Sequence, residues 1–145
     1  MAAVVLLDFG EGSDDQKALD GINHLLRLIA SGARPMTIDS MFRMVLSETS
    51  TFLAWEDGMI VGMASITVSH LPSGVICRIH DMIVDYPYRN QGIGSQLMDA
   101  LLTRLPENWH LVDVYVDTPN SNIERICLKT GFRMLCEGRY TLSPY

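Results

Sequence analysis

The residues best suited to chemistry lie between positions 80 and 95. His80 and Asp81 are titratable side chains within a hydrophobic, β-like run, Ile79 to Val84. Arg89-Asn90-Gln91-Gly92-Ile93-Gly94-Ser95 follows closely and opens an amphipathic helical run, Gly92 to Leu105. Strand, glycine turn and helix in that order make a seat for phosphate. Glycine lets a ligand approach the backbone without interference from a Cβ. The first amides of a helix lack intrahelical partners, so they and the positive end of the helix dipole face outward. A dinucleotide fingerprint would need a third glycine where Leu97 stands, early in a βαβ unit, and a phosphate-binding P-loop would need Gly-Lys-Ser/Thr. What remains is a pyrophosphate seat that follows an antiparallel meander.

The elements that must position this turn can be read on either side of it. Val4 to Phe9 reads as a strand. Ser13-Asp14-Asp15-Gln16 has capping-box spacing ahead of Leu19, Ile22, Leu26 and Ile29, and Thr37 caps a second helical run through Met41, Met44 and Val45. Phe52 to Glu56 and Ile60 to Ser69 are β-like and joined by Asp57-Gly58, a strong hairpin signal. A turn at Leu71-Pro72-Ser73-Gly74 leads into the strand Val75 to Val84, and Pro106 ends the helix after the glycine turn. His110 to Val116 alternates as a strand. Thr118-Pro119 gives an N-cap and a first-turn proline for a helix running to Gly131, and Phe132 to Cys136 and Arg139 to Leu142 are the final strands, around Gly138. The order β-α-α-β-β-β-α-β-α-β-β predicts a single α/β domain, residues 1–145, with a mixed sheet and helices on both faces.

Composition narrows the function. At 145 residues, 48% hydrophobic and 19% charged, the chain suits one well-buried core. A net charge of −6 without a Lys/Arg run argues against a nucleic-acid binder and favours a cationic or amine substrate. Cys77, Cys127 and Cys136 form no C-x-x-C pair, so neither a disulfide framework nor a metal site is expected, and a reducing cytoplasm is the simplest location. The run Ala2 to Leu7 is cut short by Asp8 and has no basic flank, so it does not read as a signal peptide. No stretch is long and apolar enough to suggest membrane insertion.

Arg89-Asn90-Gln91-Gly92-Ile93-Gly94 resembles the R/Q-x-x-G-x-G/A acyl-CoA motif of the GNAT superfamily of N-acetyltransferases, and Ile79 to Asp85 resembles the strand that precedes it. A second block agrees: Val112 to Val116, then Asn120 and Lys129-Thr130-Gly131-Phe132, is similar to the superfamily's N…K-x-G-F segment at compatible spacing. The resemblance covers roughly residues 50 to 135. It implies a mostly antiparallel sheet of about seven strands, splayed between the fourth and fifth, with acetyl-CoA as acyl donor. It also implies that Gln91 to Ser95 and Arg89 hold the pyrophosphate, and that Met82, Ile83 and Val84 offer a strand edge to the amide-rich pantetheine arm. An amide near Ile83 would then polarise the thioester carbonyl. Asn120 is either a further contact to the arm or a helix cap.

Acyl transfer to an amine needs that amine deprotonated, although its pKa is about 10. The family often places a proton acceptor on the strand of His80 and Asp81. Strict alternation puts these two on opposite faces, so one of them at most points to the substrate. Histidine is the better base at its ordinary pKa, and Asp81 would need desolvation. The tyrosine that many members use to protonate the departing thiolate falls at Cys127. A thiol with a pKa of about 8.5 has suitable chemistry, but cysteine is also a common core residue. Tyr140, Tyr115, water or unassisted departure are the other routes. The expectation is acetyl transfer to a primary amine by direct attack in a ternary complex, with a homodimer compatible. A non-catalytic acyl-CoA-binding or regulatory module is the alternative. The methionines, Trp55, Trp109 and the Asp14-Asp15 pair read as structural.

Overall fold

The computed structural model describes residues 2–9, 14–30, 32–116 and 121–144. In chain order the elements are β1 (Ala3–Leu6), α1 (Asp15–Ile29), α2 (Ile38–Leu46), β2 (Thr49–Glu56), β3 (Met59–Leu71), β4 (Gly74–Val84), a 3-10 turn (Tyr86–Tyr88), α3 (Ile93–Leu102), β5 (Trp109–Tyr115), α4 (Ser121–Thr130), β6 (Arg133–Cys136) and β7 (Arg139–Leu142). This is the expected order, and the seven strands form one sheet, β1-β2-β3-β4-β5-β7-β6. Every neighbouring pair is antiparallel except β4 and β5.

Local chemistry accounts for the boundaries. Asp57 and Gly58 both adopt positive φ, 51° and 74°, as a two-residue hairpin turn twisting with its strands requires. Helix α1 is capped by Asp14, whose carboxylate accepts from Lys17 N at 3.0 Å; Ser13, the other residue expected there, lies outside the described residues, as do Thr118 and Pro119. Thr37 caps α2 by accepting from Ser40 N at 3.1 Å. Helix α3 stops short of the expected Leu105, because the amides of Thr103, Arg104 and Leu105 turn to i→i−3 carbonyls and unwind the last turn.

Helices cover both faces of the sheet. On one, Leu97, Met98 and Leu101 of α3 and Cys127 of α4 pack against Val61, Ile66, Cys77, Ile79 and Val112. On the other, Leu19, Ile22 and Leu25 of α1 and Met41 of α2 pack against Leu53 and Met63. Gly21 allows α1 to sit close to the sheet, since a Cβ there would fall 2.8 Å from the Cβ of Ile60.

Two irregularities in β4 prepare the site. Its parallel ladder with β5 runs from Val75↔Trp109 only to Ile79↔Val114, while β4 continues to Val84 paired with β3 alone. The two strands therefore part beyond Ile79, as the resemblance implied. In addition, β3 spends one residue, Ala64, between the pairs Met63↔Ile83 and Ser65↔His80, where β4 spends two, Asp81 and Met82. This is a β-bulge, with Asp81 at φ 51°.

Candidate active site

A cleft of about 930 Å³ opens where β4 and β5 part. Its lining includes His80 to Val84 of β4, Arg89, Asn90 and the start of α3, the end of β5 from Val114 to Val116, one face of α4, and Leu28 and Ile29 at the end of α1. Because α1 and α4 lie on opposite faces, the opening passes through the sheet and can be approached from both sides.

The rim at the glycine turn has the geometry of an anion seat. Asn90 and Gly92 both have positive φ, 63° and 83°. Gly92 is the N-cap of α3, and the first intrahelical bond comes from Gln96 N to Gly92 O, so the amides of Ile93, Gly94 and Ser95 have no i−4 carbonyl to bond. A Cβ on Gly92 would meet nothing within 4 Å, whereas one on Gly94 would lie 2.6 Å from Ile126 Cδ1. Gly92 thus serves the open rim, and Gly94 lets α3 approach α4. The Nε of Arg89 donates to Val84 O at 2.8 Å, and its guanidinium stacks 3.8 Å from the Tyr86 ring, which fixes this cation beside the turn. Asp85 steadies the connection, accepting from Tyr86 N at 2.8 Å and pairing with His24 of α1 at 3.0 Å.

His80 and Asp81 both border the cleft. Strict alternation allowed only one of them to do so; the extra residue at Asp81 lifts that restriction. The Nε2 of His80 is bound to Thr67 Oγ1 at 2.9 Å, which orients the ring and leaves Nδ1 without a partner among the described residues. Burial and the nearby Arg78 guanidinium push its pKa below the usual histidine value, against the opposing pull of Asp81. The imidazole is therefore neutral at pH 7 and able to accept a proton.

Of the other expected site residues, Met82, Ile83, Val84, Arg89, Asn90, Gly92, Ile93, Gly94 and Ser95 line the cleft; Gln91 is exposed beside it, its side chain donating to Pro87 O. Asn120 lies outside the described residues. Cys127 and Tyr140 do not line the cleft. Cys127 is fully buried, its thiol pushed up to about 11 mainly by burial, with Glu124 adding to the shift. Tyr140 is buried in the same core, its hydroxyl 3.8 Å from Met134 Sδ and its pKa raised by burial and by Glu124.

The cleft also exposes residues to which the sequence reading gave no site role: Tyr86, Tyr88, Asn122, Arg125 and Lys129, the last quoted there only as part of the Lys129-Thr130-Gly131-Phe132 block. Their signal was available in part, because Asn122, Arg125, Ile126 and Lys129 follow the i, i+3, i+4 spacing of one helix face.

A model of the acetyltransferase (GNAT) family matches residues 22–132. The chain belongs to the GNAT acetyltransferase family. Solved structures of similar fold include the GNAT-family acetyltransferase of Streptococcus pneumoniae, 18% identical, with a TM-score of 0.69 over 96% of this chain and 97% of that one. Glucosamine-6-phosphate N-acetyltransferase from Arabidopsis thaliana is 17% identical, with a TM-score of 0.69 over 94% of each chain. A transcriptional regulator from Bacillus halodurans C-125 is 23% identical, with a TM-score of 0.74 over 94% of this chain and 97% of that one. Among curated proteins no significant match is found. GNAT enzymes in general take acetyl-CoA as donor and act on amines. Among the described residues there is no group of three or more potential metal ligands, and no helix is long and apolar enough to cross a membrane.

Proposed function

We propose that this GNAT chain transfers an acetyl group from acetyl-CoA to a primary amine, with both substrates bound together and the amine attacking directly. The observation that carries this reading is the cleft through the sheet. One rim holds the unpaired amides of α3, and His80, with an open ring nitrogen, borders the same space.

The residues present fit an acyl-CoA. In a chain of net charge −6, the cleft is bordered by Arg89, Arg125 and Lys129, which suits a polyanion. The amides of Ile93, Gly94 and Ser95 would receive the pyrophosphate, aided by the helix dipole of about half a charge. The unpaired edge of β4 past Ile79 extends roughly 16 Å, at about 3.3 Å per residue, and would bind the amide-rich arm as an added strand. Met82, Ile83 and Val84 lie along this edge, and an amide near Ile83 would polarise the thioester carbonyl. Asn120 retains its proposed contact to the arm. Acyl-CoA itself supplies an acyl group already activated as a thioester.

His80 Nδ1 would take the amine proton directly or through one water, with Asp81 favouring the cationic ring that results. Its depressed pKa keeps it unprotonated for that task. For the departing thiolate, we assign Cys127 and Tyr140 to packing; of the tyrosines that border the cleft, Tyr86, Tyr88 and Tyr115, we take Tyr115, at the end of the strand that parts from β4, as the phenol.

Calorimetric titration with acetyl-CoA, CoA and ATP, followed by a thiol-release assay over a panel of amines, tests the proposal. Acetyl-CoA binding and turnover are expected. ATP preference would overturn the seat. Acetyl-CoA binding with silence across the panel would favour the non-catalytic module, a reading that gains from the placement of Cys127 and Tyr140 off the cleft.

A further inference from the structure

On the sheet face that carries α1, the stretch next to the cleft is built around a buried carboxylate. Arg78 of β4 is the register partner of Asp113 of β5, and Tyr115 of β5 is that of Arg139 of β7. The Asp113 side chain is 4% exposed, with Oδ2 lying 3.4 Å from Arg139 and 3.9 Å from Arg78. Both guanidiniums also sit over the Tyr115 ring, at 5.4 and 4.8 Å from its centre. Tyr115 borders the cleft, and His80 lies two residues along β4 from Arg78, a strand spacing of about 7 Å.

Two guanidiniums offer ten N–H donors to a single carboxylate. Most of that capacity is unused, and the buried Nε of Arg139 finds no protein partner. Stacking on Tyr115 holds both planes in place, so little freedom is lost when a further oxyanion binds. The arginine side chains remain 47% and 36% exposed; they do not line the cleft themselves but flank Tyr115, which does. Asp81, the other carboxylate nearby, pairs with neither arginine and is better placed to attract the amine end.

Building on the acetyltransferase reading, we infer that the acceptor amine carries an acidic oxyanion, carboxylate or phosphate. Arg78 and Arg139 read that group while His80 and Asp81 face the amine. The pair selects substrate and exchanges no proton with it, so loss of either arginine raises KM for acidic acceptors; loss of Arg139 spares kcat, while loss of Arg78 also lets the His80 pKa rise.

Matched acceptors test this: lysine against cadaverine, phenylalanine against phenethylamine, and glucosamine 6-phosphate against glucosamine, each assayed by thiol release from acetyl-CoA. The acid-bearing member of at least one pair should show a kcat/KM at least tenfold higher, the carboxylate and phosphate pairs distinguishing the two oxyanions. R78Q and, separately, R139Q should raise KM for that acceptor about tenfold to a hundredfold. Acetyl-CoA affinity should stay as in wild type in both variants, and turnover of the acid-free partner should stay as in wild type in R139Q. R78Q, the more exposed change, guards against misfolding of R139Q and is read through KM for the acidic acceptor, since Arg78 also lowers the His80 pKa. Equal use of both members, preference for the acid-free amine, or turnover of none while acetyl-CoA still binds would each overturn the inference. Failure to bind acetyl-CoA would overturn the acetyltransferase reading itself.

Discussion

Replacing Gly92 by alanine separates what the glycine turn does for the fold from what it does for a ligand. Gly92 sits at φ 83°, ψ 4°, and an added Cβ would meet no atom within 4 Å. The cost to stability is therefore conformational alone, about 1–2 kcal/mol for an L-residue held in the left-handed region. For a chain of 145 residues the unfolding entropy is about 0.3 kcal/mol/K, so Tm should fall by about 3–7 °C. The same methyl projects from the open rim where the unpaired amides of α3 would meet a pyrophosphate. Close approach is lost there, and acetyl-CoA affinity should drop at least tenfold. Thermal denaturation without ligand measures the first quantity and calorimetric titration the second. A variant with the lowered Tm and unchanged acetyl-CoA affinity would refute the seat, leaving Gly92 a helix cap only.

Other outcomes follow from the same geometry. The rate profile in kcat/KM should show an acid limb below pH 6.5, because burial and Arg78 lower the His80 pKa; H80N should remove that limb and cut kcat about 10²–10⁴-fold, and an unmoved limb would exclude His80 as the base. In stability terms the depressed pKa works in the same direction: His80 contributes above about pH 6.5, and that contribution is lost as acid forces the folded ring to protonate, which urea titrations of wild type and H80N would resolve. With the native protein, iodoacetamide near pH 8 should alkylate exposed Cys136 quickly and spare Cys77 and Cys127, both buried with raised pKa values; mass spectrometry of the labelled peptides reads this, and fast labelling of Cys127 would contradict its packing role. G21A should cost about 1–3 kcal/mol through contact with the rigid Ile60 Cβ against a gain in helix propensity of about 1 kcal/mol, a net destabilisation of up to about 2 kcal/mol, as chemical denaturation would show.

What could be read from the chain follows from how local each signal is. The Asp57-Gly58 turn, the Thr37 cap and the Gly92-x-Gly94 helix start each act through a few neighbouring bonds, so residue type alone announces them. With the hairpin and strand order in place, the seven strands were legible too, while their splay was implied by the resemblance to GNAT enzymes alone. The bulge at Asp81 was not, because it arises from a mismatch between β3 and β4 that neither strand displays by itself. Alternation therefore separated His80 from Asp81, whereas the cleft receives both. Cys127 shows the same limit from the other side: a spacing count placed it at an acid's position, but whether a helical side chain meets solvent or core depends on how α4 lies on the sheet. The group of Arg78, Asp113, Arg139 and Tyr115 was hidden for a related reason, since it draws on three strands far apart in sequence.

The bulge gives β4 something like a reading frame. Upstream of it, Cys77 and Ile79 face the core beneath α3; downstream, Met82 and Val84 return to that face because the extra residue has absorbed one half-period, while Ile83 turns toward α1. Substitution within residues 80–84 changes one side chain at a time. Removal of a single residue there would invert every position after it, carrying Ile83 to the wrong face together with the start of the Arg89 connection. Point changes are thus the route by which this wall can be altered, and any relative that shortens it by one must restore the phase elsewhere before the strand end.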